Sequence, residues 1–167
     1  MIVYEVRIKA TTRADGAGDT IMKTVLLGFV LLFTTIANAQ NIERLNPDGM
    51  TQPTAYTHLV KVDKLLFIAG QVALDADGNV VGADDMQAQV RQALENLKTI
   101  LASQGADFSN IVKTNIFTTD MERYFETGEI RREYFAGHAP ASTLVQIERL
   151  ARPVFLVEIE AIAIAPD

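Results

Sequence analysis

No cysteine occurs anywhere in the 167 residues, and that absence excludes disulfides, thiolate nucleophiles and cysteine metal sites at once. Imidazole is scarce as well. His58 and His138 are the two histidines, far apart and outside any ligand-spacing pattern, so no dedicated metal site is expected. An excess of positive charge is also missing. The formal net charge is −6, which does not suit a protein that must neutralise a phosphate backbone, so nucleic acid is not an expected partner. What is present is an ordinary globular balance, 49% hydrophobic and 22% charged. The length is enough to bury one sizeable core.

The first forty residues read as an address rather than as structure. Met22 and Lys23 make a short basic start, Val25 to Ile36 an apolar run, and Ala37-Asn38-Ala39 a small-residue cleavage site. These are the three parts of a secretory signal peptide over residues 22–39. The apolar run is well short of the roughly 20 residues a spanning helix needs. The expected location is therefore periplasmic or secreted, with no membrane attachment after cleavage. Residues 1–21 carry Glu5, Asp15 and Asp19 against Arg7, Lys9 and Arg13, unlike a basic leader start, and read as a mis-called upstream start before Met22. Cleavage would remove more positive than negative charge, leaving a more acidic domain over 40–167 that must hold together without a covalent staple.

Within 40–167 the polar, Pro- and Gly-bearing stretch from Gln40 to Pro53 reads as an entry loop. Tyr56–Val62 and Leu65–Val72 read as a hairpin around Asp63-Lys64, the second strand ending at Gly70-Gln71. Asp84 offers an N-cap. Val90, Leu94, Leu97 and Leu101 then recur at helical spacing, and Gly105 offers a C-cap. Ile111–Thr118 alternates and is β-branched, as a strand requires. Asp120 opens a second helix to about Phe135, weakened by Gly128. Thr143–Ile147 and Phe155–Ala163 read as strands. The order β-β-α-β-α-β-β predicts one α+β domain, a sheet with two helices packed on one face. The other face must find cover, which favours an oligomer.

Six stretches, in order and spacing, resemble one family. They are AYTHLV at 55–60, FIAGQVALD at 67–75, ALENLKTIL at 93–101, IVKTNIFTTDM at 111–121, PAST at 140–143 and VEIEAIA at 157–163. Together they resemble the reactive-intermediate-deaminase family, the Rid or RidA/YjgF-like proteins. The resemblance implies a chorismate-mutase-like fold and a homotrimer with a small-molecule cleft at each subunit interface. It also implies hydrolysis of enamine or imine intermediates to a carbonyl compound and ammonia, with no cofactor. Carried over position by position, Glu158 matches the family's acid, which would orient the hydrolytic water or shuttle a proton. Tyr56 matches an early tyrosine that can close the cleft. Gly70 matches a glycine whose bare N–H can approach a ligand. Read without the resemblance, these are a solvated strand face, a half-buried strand tyrosine and a strand-end glycine.

The departures fall at the cleft. Where the family has Pro-Ala-Arg-Ser, this chain has Pro140-Ala141-Ser142-Thr143. Ser142 therefore stands where a guanidinium grips a substrate carboxylate with two charge-assisted hydrogen bonds. Losing one such bond costs about 1.5–3 kcal/mol, so familiar 2-imino acids should bind poorly. Ala69 replaces a serine, Gly128 an asparagine, and Leu144 offers only its backbone N–H. Arg149 and Arg152 read as surface or structural residues. The expected function is hydrolysis of an enamine, imine or related carbonyl compound of altered substrate class. A non-catalytic small-molecule binder or sensor is the alternative, and a stress-related holdase a weaker one.

Overall fold

Six short apolar-alternating segments pair into one sheet, and the segment with helical spacing lies across it. The computed structural model describes residues 40–167. The start-site reading for 1–21 and the leader read over 22–39 lie outside the described residues. The strands are β1 (Ile42–Leu45), β2 (Leu59–Val62), β3 (Leu65–Gln71), β4 (Ile111–Thr118), β5 (Ala141–Gln146) and β6 (Val157–Ile164). The helices are α1 (Met86–Ala102), α2 (Met121–Phe125) and α3 (Gly128–Phe135). The sheet order is β1-β2-β3-β6-β4-β5. Neighbours run antiparallel except β4 and β5, which are parallel. This is the α+β architecture the sequence predicts.

Strand periodicity assigns the two faces. Along β6, Val157, Ile159, Ala161 and Ala163 are buried and join Leu66, Ile68, Ile111 and Ile116 beneath Val90, Leu94, Leu97 and Leu101 of α1. The residues between them, including Glu158 and Glu160, point to the opposite face, because side chains alternate along a strand. That second face carries exposed Leu65, Phe67, Val145 and Ile164.

The structure corrects four local expectations. Ile42–Leu45 is an edge strand in register with Leu59–Val62, not part of an entry loop. The hairpin strand begins at Leu59, so Tyr56 sits on the loop before it. The N-cap of α1 is Asp85, whose carboxylate accepts from Ala88 N at 3.0 Å. Asp84 instead takes a positive φ of 59° and accepts from Arg123 Nη1. The helix read over 120–135 is two helices. Buried Thr127 donates its hydroxyl to Tyr124 O at 2.7 Å, satisfying a carbonyl at the end of α2, and Gly128 starts α3. Gly105 does close α1. At φ +68° it leaves Ala106 N bonded to Leu101 O and its own N–H to Ala102 O, a Schellman ending.

Candidate functional site

Glu158 is placed by a bulge. Between Ile68 and Gln71 the register of β3 against β6 slips, with Ile68 opposite Ala161 and Gln71 opposite Ile159. The extra residue on β3 bends that strand and turns its backbone outward. Gly70 lies in this bulge, and the Glu158 side chain lies directly over it. A Cβ added at Gly70 would come within 1.9 Å of Glu158 Oε1 and 2.6 Å of its Cδ. The glycine is therefore the space the carboxylate occupies.

Tyr56, Gly70 and Glu158 line one groove of about 400 Å³, with Ala69, Arg152 and Phe155 among its walls. Half-burial pushes the Glu158 carboxyl above its ordinary range, and the nearby Glu160 carboxylate adds to the rise. Glu160 accepts from Asn115 Nδ2 at 2.6 Å. A carboxyl shifted upward beside an open groove holds its proton to higher pH than a free one, which suits it to proton transfer.

His58, to which the sequence reading assigned no site role, stands behind the tyrosine side of this groove. His58 is 4% exposed. Its Nε2 lies 2.9 Å from Thr51 O and its Nδ1 3.4 Å from Gln71 Nε2. With Nε2–H donating to the carbonyl, Nδ1 accepts from the amide, which fixes a neutral tautomer. Burial holds its pKa below the ordinary value, outweighing the Thr51 hydrogen bond that raises it. The ring of Tyr56 meets the imidazole edge-on at 5.7 Å. The available signal was that His58 is a lone imidazole among strand residues, two positions after the tyrosine.

Ser142 and Leu144 lie elsewhere. Ser142 pairs with Thr114 across the parallel β4–β5 ladder and so faces the helix side of the sheet. There it lines a second groove of about 370 Å³ with Gly128, Arg131, Arg132 and Phe135. Leu144 is half-buried and packs against the core. Within one chain the structure thus brings Tyr56, Gly70 and Glu158 together, and separates them from Ser142 and Leu144. Among the described residues, no group of three or more His, Asp or Glu could hold a metal ion.

The Glu158 carboxylate thus lies over a glycine bulge on the helix-free face of a small α+β sheet, beside an open groove. Residues 49–165 match the family described as Endoribonuclease L-PSP. A 2-iminobutanoate/2-iminopropanoate deaminase of Mus musculus is 39% identical over 65% of this chain and 80% of its own. A RutC family protein of Pyrococcus horikoshii is 37% identical over 65% of this chain and 85% of its own. Among solved structures, E. coli TdcF with bound serine superposes with a TM-score of 0.65 at 28% identity, covering 74% of this chain and 98% of that one. The chain belongs to the Rid family, also called YjgF or L-PSP.

Proposed function

We propose that this protein hydrolyses a small imine or enamine to a carbonyl compound and ammonia, with Glu158 as the proton-transfer group. The observation that carries the reading is the Glu158 carboxyl, raised by half-burial and held over Gly70 at the wall of a groove that Tyr56 also lines. In the reaction, Glu158 takes a proton from water as the oxygen adds to the C=N carbon. It returns that proton to the nitrogen, giving a carbinolamine, then takes the adduct's hydroxyl proton and passes it to the nitrogen as well, so that NH3 leaves and the carbon keeps the oxygen as C=O. Tyr56 would close over the substrate, and Gly70, beneath the acid, would offer its backbone N–H to the same ligand. The named activity of the murine relative and the serine bound to TdcF support a small nitrogen-bearing metabolite as ligand. The net charge of −6 argues against RNA as substrate.

The proposal includes a homotrimer with clefts between subunits. It is supported by the exposed Phe67, Leu65 and Ile164 on the helix-free face, and by the separation of Glu158 from Ser142 within one chain. Export by the leader over 22–39 belongs to the same reading. Ser142 offers a hydroxyl without charge, so β5 itself supplies no cation to a substrate, and neutral imines belong in the test beside 2-imino acids. The test is ammonia release from freshly generated 2-iminopropanoate and from neutral imines, with sedimentation analysis alongside. Acceleration that disappears in Glu158→Gln while the oligomer persists supports the reading. No acceleration with any imine overturns it. A non-catalytic binder is the second reading, favoured by the simultaneous departures at Ala69, Gly128 and Ser142. It predicts ligand binding with no turnover to lose.

A further inference from the structure

The second groove has a charge pattern that the loss of an arginine from β5 does not prepare one for. Arg131 and Arg132 of α3 both line it, beside Ser142 and Thr114. Their guanidinium ends converge on Gly128. A Cβ built there would sit 3.5 Å from Arg132 Nη1 and 3.7 Å from Arg131 Nη2. Because residue 128 has no side chain, the two guanidinium groups close in over that position, and both border the groove of about 370 Å³. Arg132 has one carboxylate nearby among the described residues, Glu129 at 3.7 Å, with both side chains largely in solvent. Such a pair is weak and readily exchanged. Arg131 lies 4.6 Å over the ring of Tyr124, and its Nε is buried without a partner. Glu133, the other acid of this helix, faces away and bonds to Arg91.

The hydroxyl at the floor of the groove is oriented for a donor role. Buried Thr114 donates its hydroxyl to Ser142 Oγ at 3.0 Å. An oxygen that accepts from below keeps its own hydrogen to donate outward. Two guanidinium groups and one outward O–H around a single open space match a carboxylate, which accepts several charge-assisted bonds and neutralises the clustered positive charge.

We infer that Arg131 and Arg132 of α3, with the Ser142 hydroxyl, form a carboxylate-binding subsite that supplies from the helix the cation missing from β5. The inference rests on the proposed function for the imine or carbonyl part of its ligand and adds a carboxylate to it, and its test is arranged so that the two can fail separately. Pyruvate and its uncharged analogue pyruvamide are titrated into the full chain and into Arg132→Gln, Arg131→Gln/Arg132→Gln and the latter with Ser142→Arg added. Pyruvate binding is expected to weaken about 10- to 100-fold in the double variant. Pyruvamide binding should stay unchanged, and Ser142→Arg should restore pyruvate. Arg132→Gln leaves the stack on Tyr124 intact, so a several-fold pyruvate-selective loss is expected there even if the double variant does not fold. Pyruvate affinity unchanged in Arg132→Gln, equal losses for both ligands, or no saturable pyruvate binding by the unaltered chain would each overturn the subsite. Arginine-dependent binding without any ammonia release leaves the subsite standing and removes the enzyme reading. Turnover with arginine-independent binding does the reverse.

Discussion

The Glu158 groove and the Ser142 groove differ in charge, in face and in how they are built. The Glu158 groove opens on the helix-free face, holds an acid, and is shaped by backbone: a bulge and a glycine make room for one carboxylate. The Ser142 groove lies on the helix side, and its charges come from the helix beside the strand. A glycine shapes this groove too, but there the position without a side chain is bordered by two cations. Glu158 and the Arg131–Arg132 pair therefore lie on opposite faces of one sheet, in separate grooves of a single chain.

The sharpest way to break this comparison is Glu158→Gln. Removing a positioned proton-transfer group should lower ammonia release by about 10²- to 10⁴-fold, with secondary structure and sedimentation unchanged. Unaltered turnover would strip the first groove of its role. Gly70→Ala comes next. Its Cβ meets the Glu158 side chain from Cγ outward, 2.8 Å from Cγ and 1.9 Å from Oε1, so the whole side chain must turn to another rotamer and carry the carboxylate off the bulge. Turnover should fall by at least about tenfold, because a displaced proton-transfer group loses much of its contribution. Stability should change by less than about 1 kcal/mol.

Gln89→Leu tests the support rather than the site. The amide of Gln89 bonds to Gly82 O and Val154 O and accepts from Leu156 N, holding the segment that leads into β6. Each buried backbone group left unpaired costs about 1–3 kcal/mol, so urea denaturation should show a loss in that range or above.

Acid response should separate Glu158 from His58, because their shifts run in opposite directions. Glu158 is raised, so its contribution to stability is fully present below the ordinary 4.5 and lost as pH rises through the shifted value. Glu158→Gln should therefore be more stable than the parent at pH 7, with the gap closing below 4.5. His58 is lowered, so its contribution is present above the ordinary 6.5 and lost as pH falls through the shifted value. Melting midpoints of His58→Gln should be lower than the parent's at neutral pH and less dependent on pH below 6.5. The smallest effect belongs to Lys64→Ala. Its pairing with Asp167 is exposed on both sides, and the melting midpoint should not shift measurably at physiological salt.

Much of the fold was legible because burial imposes a period. The stripe Val90, Leu94, Leu97, Leu101 and the alternation of Ile111–Thr118 each repeat long enough to announce themselves, and both elements stand where the spacing put them. Ile42–Leu45 did not, because four residues with two half-buried positions carry almost no pattern. That segment is a strand because Leu59–Val62 offers it an edge. Gly128 warned of a weak helix, and the break it marks depends on Thr127 turning its hydroxyl back to Tyr124. At the site, the resemblance picked out Glu158, Tyr56 and Gly70, which do share a groove. It was silent on Arg131 and Arg132, since two arginines on a polar helix look like any solvated face.

By itself the sequence determined the layers, the family and the acid on the last strand, because these follow from local periodicity and a run of matching residues. Only the tertiary structure decided that Gly70 makes room for Glu158, that His58 braces Tyr56, and that two guanidinium groups border the space left at Gly128. Those facts depend on which strands and helices lie side by side, and residues far apart in a chain carry no mark of which neighbours folding will give them.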